Sequence, residues 1–120
     1  MSTLFIEYPK CSTCRKAAAW LQEQGCAYDD RHIVEQAPTE DELRAWWQAS
    51  GLPLRRFFNT SGMKYRELGL AARLPEMSEA EQLKLLASDG MLVKRPILIT
   101  PSGQVIPGFR AEQWSSALKG

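Results

Sequence analysis

The sequence predicts an α/β fold, a four-stranded mixed sheet carrying an all-helical insertion, on three observations. The first is a strand–helix–strand pattern over the opening third: "STLFIEY", then "RKAAAWLQEQ", then "CAYDDRHIV". The second is a middle stretch with helix-start signals and no strand candidate. The third is a pair of apolar runs, "RPILIT" and "QVIPGF", joined by Pro101, Ser102 and Gly103 and followed by a closing helix. A strand–helix–strand unit with short joints implies parallel strands and a right-handed crossover. The Pro-Ser-Gly turn implies a hairpin. A parallel pair from one end of the chain and an antiparallel pair from the other make the sheet mixed.

The elements follow in order. "STLFIEY" is short, β-branched and aromatic, reads as a buried strand, and stops at Pro9. Ser12 or Thr13 is the expected cap of the next helix, and Gly25 ends it. Beyond the second strand, Thr39 and Glu42 have capping-box spacing, and Leu43, Trp46 and Trp47 form an apolar stripe. Gly51 and Pro53 break that helix, and "PLRRFFNTSGMKYRELGL" reads as two short helices around an Asn-Thr-Ser-Gly turn. Ser78 and Glu81 repeat the capping box, and Asp89-Gly90 closes the helix they start. The terminal helix turns Trp114 and Leu118 inward. The expected organisation is therefore one domain, 1–120, with a core at about 1–36 and 92–120 and a helical insertion at about 37–91.

Composition bounds the function classes. The chain has 120 residues, 44% apolar and 24% charged, which suits a folded domain with a real core. A formal charge of +1 without a long basic block gives no support for direct nucleic-acid binding. The first ten residues, "MSTLFIEYPK", do not read as a signal peptide, because the apolar run is short and Glu7 interrupts it. No stretch approaches the roughly 18 apolar residues of a membrane span. A cytoplasmic location is expected. In a reducing compartment a C-x-x-C pair points to metal or redox chemistry more than to a structural disulfide.

The three cysteines and the single histidine all lie between Tyr8 and Ile33. A zinc site built from Cys11, Cys14, Cys26 and His32 fails on geometry. The helix between Cys14 and Cys26 separates them by about 18 Å, whereas zinc–sulfur bonds are about 2.3 Å. No metal is expected; Cys26 is expected as a small buried hydrophobe and His32 as a surface or strand-end residue. The redox reading has positive support. A thiol at a helix N-terminus faces unpaired N–H groups and the positive end of the helix dipole, which favours the thiolate. Lys10, Arg15 and Lys16 add positive charge. Cys11 is then the nucleophile, and Cys14, one turn inward, the resolving thiol.

Three stretches, "YPKCSTCRKA", "FFNTSGMKYRELGL" and "KRPILI", in this order along nearly the whole chain, resemble the arsenate reductase (ArsC)-like family, which includes the redox regulator Spx. The resemblance implies a thioredoxin-like fold and a cis peptide bond before Pro96, beside the thiols. It implies that Cys11 matches a nucleophile that attacks arsenate and Arg95 matches one of three arginines that hold the oxyanion. The second arginine falls on Asn59 and the third near Gly108, with Arg110 close by. Those two departures weaken the arsenate reading, because an oxyanion desolvated without its donors is costly. Substrate contacts are expected from Thr13, Arg15 and Asn59. Cys14 is a further departure from glutathione- and glutaredoxin-dependent arsenate reductases, and is shared with Spx. The implied functions are a thiol-dependent reductase of a disulfide, an oxidised thiol or an arsenate-like oxyanion; a Spx-like regulator docking on the RNA polymerase α subunit; or an arsenate reductase proper. No bound cofactor is implied; glutathione, thioredoxin or glutaredoxin would serve as electron donor.

Overall fold

The computed structural model describes residues 2–119. Along the chain run β1 (Thr3–Glu7), α1 (Ser12–Glu23), β2 (Tyr28–His32), α2 (Glu40–Ser50), a 3₁₀ turn (Leu54–Phe57), α3 (Met63–Glu67), α4 (Leu70–Arg73), α5 (Glu79–Ser88), β3 (Ile97–Ile99), β4 (Val105–Pro107) and α6 (Ala111–Lys119). They form two compact units, Met1–His32 with Arg95–Gly120, and Ile33–Lys94. The insertion expected over 37–91 lies within the second.

The first unit holds the sheet, in the order β2-β1-β3-β4. β1 and β2 pair in parallel from Thr3↔Tyr28 to Glu7↔His32. β3 runs antiparallel to β1, with Phe5 opposite Leu98, and β4 antiparallel to β3, with Leu98 opposite Ile106. The thioredoxin-like α/β arrangement expected from the sequence is the one observed.

Strand alternation puts Thr3, Phe5 and Glu7 on one face of β1. On α1 the buried residues are Cys14, Ala17 and Leu21, a helical stripe that packs on that face. Phe5, Ala17, Leu21, Leu98, Ile106, Trp114 and Ala117 form one apolar cluster. Trp114 is its largest member, fully buried, edge-on to Phe5, Trp20 and Phe109, with its indole N–H donating to the Gly108 carbonyl at 2.9 Å. Leu118, expected inward, is only partly buried against this cluster, and Ala117 takes the inner position. Truncating a buried aromatic of this size costs about 3–5 kcal/mol.

Because β1 and β2 are parallel, α1 must run back antiparallel to β1. The C-terminal end of β1 and the first turn of α1 therefore share one end of the unit. This places Glu7 and Cys14 at the same level, just beyond the apolar cluster.

The second unit is helical, as expected. Thr39 Oγ1 accepts from the Glu42 N–H at 3.1 Å, and Glu42 Oε1 accepts from the Thr39 N–H at 3.0 Å. Ser78 and Glu81 make the same reciprocal pair at 3.1 and 2.9 Å. α2 ends on Gly51 at φ +70°, a left-handed conformation that favours glycine. A side chain at Gly90 would collide with the Ile33 carbonyl. Trp46 and Trp47 are half-buried, and the Trp47 indole donates to the Leu52 carbonyl at 2.9 Å. Among the described residues no helix is long and apolar enough to cross a membrane.

Candidate functional site

β1 delivers the chain to the site. The Cys11 N–H donates to the Tyr8 carbonyl at 2.9 Å, closing a tight turn through Pro9 and Lys10. Cys11 itself is the N-cap of α1, with extended backbone at φ −84° and ψ 124°, and its carbonyl accepts the Arg15 N–H at 3.0 Å. The expectation that Ser12 or Thr13 caps the helix is corrected: both lie inside the first turn, and the cap position belongs to the cysteine. The tight turn started at Tyr8 fixes the helix start one residue earlier than the hydroxyl residues suggested.

The two thiols stand in opposite environments. Cys11 is half-buried, Cys14 is 1% exposed, and both are free of a disulfide. Burial pushes the Cys11 thiol up, but the N–H and S–H of Cys14, the N–H of Thr13 and the Arg95 cation outweigh it, leaving Cys11 more acidic than an ordinary thiol. The amides of Thr13 and Cys14 do not form a neutral-thiol cap hydrogen bond, yet they stand close enough to favour the charged sulfur. Cys14 goes the other way. Burial, the proximity of Cys11 and the Glu7 carboxylate push it up to about 12, against the Tyr8 N–H, which favours its thiolate.

Arg95 leads into β3 through a cis bond to Pro96, the geometry implied by the resemblance. Pro96 is buried, and its carbonyl accepts the Gly108 N–H at 2.7 Å. The Arg95 guanidinium lies 5.1 Å from the centre of the Tyr8 ring, within cation–π range. The same ring meets His32 edge-on at 5.7 Å, so His32 is a strand-end residue inside an aromatic–cation stack. Arg95 is a cation whose charge lowers the Cys11 thiol.

The structure thus gathers Cys11, Cys14, Thr13, Arg95 and Pro96. Arg15 is exposed, and its guanidinium reaches back to the Lys10 carbonyl at 3.3 Å. Asn59 belongs to the second unit, where its N–H donates to the Leu92 carbonyl at 2.8 Å and its Oδ1 accepts from Ser61 at 3.3 Å. Gly108 adopts φ +86°, which disfavours any side chain there; Arg110 is exposed two residues on. Cys26, expected to be buried, is half-buried at the far end of α1, where its N–H donates to Leu21 at 3.0 Å. Just past the helix, it can pack only one side on the core. Among the described residues no group of three or more His, Cys, Asp or Glu is arranged to hold a metal.

Sequence reasoning missed Glu7 and Tyr8. Glu7 is 8% exposed, and its Oε1 has no hydrogen-bond partner among the described residues. Burial, a hydrogen-bonding interaction with Asp30 and the Asp30 charge raise its carboxyl to about 7. The signal was available: alternation in "TLFIE" assigns Glu7 to the face of Phe5.

Comparison with known proteins agrees with this geometry. Residues 6–117 match the sequence model of the ArsC family. The chain is 57% identical to the uncharacterized protein YusI of Bacillus subtilis, over 95% of this chain and 96% of that one. It is 30% identical to the regulatory protein MgsR of Bacillus subtilis, over 85% of this chain and 79% of MgsR. A crystal structure of an ArsC family related protein from Bacteroides fragilis superposes with a TM-score of 0.92 at 52% identity, covering 97% of each chain.

Proposed function

Because this chain belongs to the ArsC family, we propose that it is a thiol-dependent reductase working through a Cys11–Cys14 couple, with a disulfide or oxidised thiol as its substrate class. One observation carries the reading: two thiols a helical turn apart, one made acidic at a helix cap and the other buried and held protonated. The Cys11 thiolate attacks one sulfur of a substrate disulfide. A Cys11–substrate bond forms and the other substrate sulfur leaves as thiolate. Cys14 then loses its proton and attacks Cys11, releasing the second substrate thiolate. The substrate gains two electrons and the couple ends as a disulfide. A reductant of glutathione, thioredoxin or glutaredoxin type returns it to the dithiol.

Oxyanion reduction is disfavoured by the donors. Arg95 is the one arginine retained of the three that the family resemblance implies, with Asn59 and Gly108 at the other positions. The deciding experiment compares turnover of a glutathionylated peptide with turnover of arsenate in the presence of glutathione and glutaredoxin, in wild type, Arg95→Lys and Cys11→Ser. The expected result is disulfide turnover that Arg95→Lys barely changes, poor arsenate turnover, and no activity in Cys11→Ser, since an alcohol is a far weaker nucleophile. Robust arsenate reduction lost in Arg95→Lys, which keeps the charge but not the planar fork, would assign the function to oxyanion chemistry.

The similarity to a regulatory protein supports a second reading, in which the same couple is a switch on a surface that binds the RNA polymerase α subunit. Capture of α subunit that depends on the oxidation state of Cys11 and Cys14, in a protein without reductase turnover, would select it.

A further inference from the structure

A resolving thiol that is 1% exposed, with burial the first cause that pushes it up, poses a chemical problem. Burial keeps it as the neutral thiol, whereas the thiolate is the species that attacks a disulfide. The step that closes the Cys11–Cys14 bond therefore needs a proton acceptor held against Cys14 inside the protein.

The fold supplies one candidate. Glu7 ends the inward face of β1, one pleat beyond Phe5. Cys14 begins the inward stripe of α1, one turn before Ala17, which packs in the cluster with Phe5. The antiparallel run of β1 and α1 brings the two together, and the carboxylate is close enough to raise the Cys14 thiol. Glu7 is more than nine-tenths buried, and Oε1 has no hydrogen-bond partner among the described residues. A buried carboxyl oxygen left without a partner carries a desolvation cost of about 1–3 kcal/mol, and the apolar cluster beside it does not explain a carboxylate there.

We propose that Glu7 is the base for Cys14: its carboxylate takes the Cys14 proton as the Cys14 sulfur attacks Cys11, closing the disulfide. The inference rests on the Cys11–Cys14 couple proposed above. Before the step, Cys11 is joined to a substrate sulfur and Cys14 is a thiol. The Cys14 S–H bond breaks and its proton passes to Glu7. The freed electron pair forms the bond to the Cys11 sulfur, and the bond from Cys11 to the substrate sulfur breaks, its electron pair leaving on the substrate thiolate. Glu7 then returns the proton to solvent. In re-reduction the same carboxylic acid protonates the departing Cys14 thiolate.

The carboxyl suits the task because it titrates at about 7, where a base is half available and still strong enough to accept a proton. The titratable groups on the elements packed against its strand are Asp30 and His32 on β2, Cys11 and Cys14 at the head of α1, and Arg95 at the head of β3; of these, Asp30 and Cys14 interact with Glu7. Asp30, which shares a hydrogen-bonding interaction with Glu7, keeps that proton within reach.

The test isolates the closing step. In a Cys26→Ser background, Cys11 is converted to its mixed disulfide with thionitrobenzoate, and release of the coloured thiolate is followed by stopped flow from pH 5.5 to 9. Wild type should release it with a rate that rises through about pH 7. Glu7→Gln should lose that rise and be about 10-fold or more slower at pH 7.5, at the modest end of what a positioned base contributes. Glu7→Asp, which keeps a shorter carboxylate, should retain the rise at an intermediate rate. Alkylation of reduced Cys11 should be unchanged within about twofold across the three, because the base acts on the other thiol.

The sign separates a base from a bystander charge. The Glu7 charge raises the Cys14 thiol. If that were its whole effect, Glu7→Gln would make Cys14 more acidic and speed closure, so a variant as fast as wild type or faster overturns the proposal. Should Glu7→Gln fail to fold by circular dichroism, the wild-type profile decides, and a rate without a rise around pH 7 overturns it. A Cys14→Ser control separates the two readings. Wild-type release no faster than this control would refute the couple and Glu7 with it. Fast wild-type release that ignores Glu7 would leave the couple standing and remove only the base.

Discussion

Replacing Glu7 by Gln should make the protein more stable at neutral pH. In the folded chain the carboxyl titrates at about 7 against an ordinary 4.5, because burial and Asp30 oppose its charge. At 1.36 kcal/mol per pKa unit, carrying that charge above pH 7 costs the folded state at most about 3–4 kcal/mol. The sign is fixed by linkage. Below pH 4.5 the group is protonated folded and unfolded, and it costs nothing. Between 4.5 and 7 the folded state binds more protons than the unfolded one, so stability falls as pH rises; above 7 the full cost is present. Gln mimics the neutral acid, with an NH₂ where the acid O–H would meet Asp30 and a carbonyl oxygen where Oε1 has no partner among the described residues. With relaxation and sharing of the proton with Asp30, the expected gain is about 1–3 kcal/mol at pH 8, vanishing near pH 4.5. For a chain of this size that is a rise in Tm of about 4–12 °C. Urea unfolding of both proteins at pH 5, 6, 7 and 8, under reducing conditions, measures it. The subtraction cancels the titrating groups that do not interact with Glu7; Asp30 and Cys14 do. A Gln-minus-Glu difference that stays flat across this range, or shrinks with pH, would refute the environment assigned to Glu7.

Two further outcomes are expected. The alkylation rate of Cys11 against pH should show a midpoint below that of an ordinary thiol; Arg95→Ala and Tyr8→Leu should raise it, and Tyr8→Phe should not, since the contact with the guanidinium is made by the ring face and not the hydroxyl. Coincident curves for wild type and Arg95→Ala would remove Arg95 from the site. Mild oxidation followed by peptide mass mapping should show the Cys11–Cys14 peptide bridged within itself and Cys26 as a free thiol, because α1 stands between them; a dominant Cys11–Cys26 bond would contradict the helix.

Much of this fold was legible because its signals are local. Alternation in "TLFIE", the capping boxes at Thr39 and Ser78, and the Pro-Ser-Gly turn each depend on a few consecutive residues. The errors occurred where two local rules competed or where a side chain answers to distant neighbours. At the head of α1 the hydroxyls of Ser12 and Thr13 are better caps than a thiol by preference, but the turn that binds the Cys11 N–H to Tyr8 started the helix earlier. Tyr8 looked like one more strand residue; only the return of the chain at Arg95 gives it a guanidinium to hold. Lys10, Arg15 and Lys16 are the cations nearest Cys11 along the chain, and only the return of the chain brings Arg95, some 80 residues on, to lower the same thiol.

Glu7 ties the pair's two tasks together. A couple that attacks and then resolves needs thiols that differ: one made more acidic, and one silent until the first has bound substrate. The helix cap provides the first state for Cys11 at little cost, since the unpaired amides of the first turn exist in any helix. The second state needs burial, and burial also makes Cys14 less acidic. A carboxyl placed on the same inward face adjusts that balance in both directions: as an anion it holds Cys14 protonated at rest, and as a base it removes the proton when Cys11 becomes electrophilic. The arrangement forces a conflict with stability, because a carboxylate beside the apolar cluster of Phe5 and Ala17 destabilises the fold it serves. The two Glu7→Gln measurements therefore have linked signs: a protein that unfolds later and closes its disulfide more slowly. A variant that is both more stable and as fast would mean that the carboxyl has no part in resolution and that Cys14 finds its base in water.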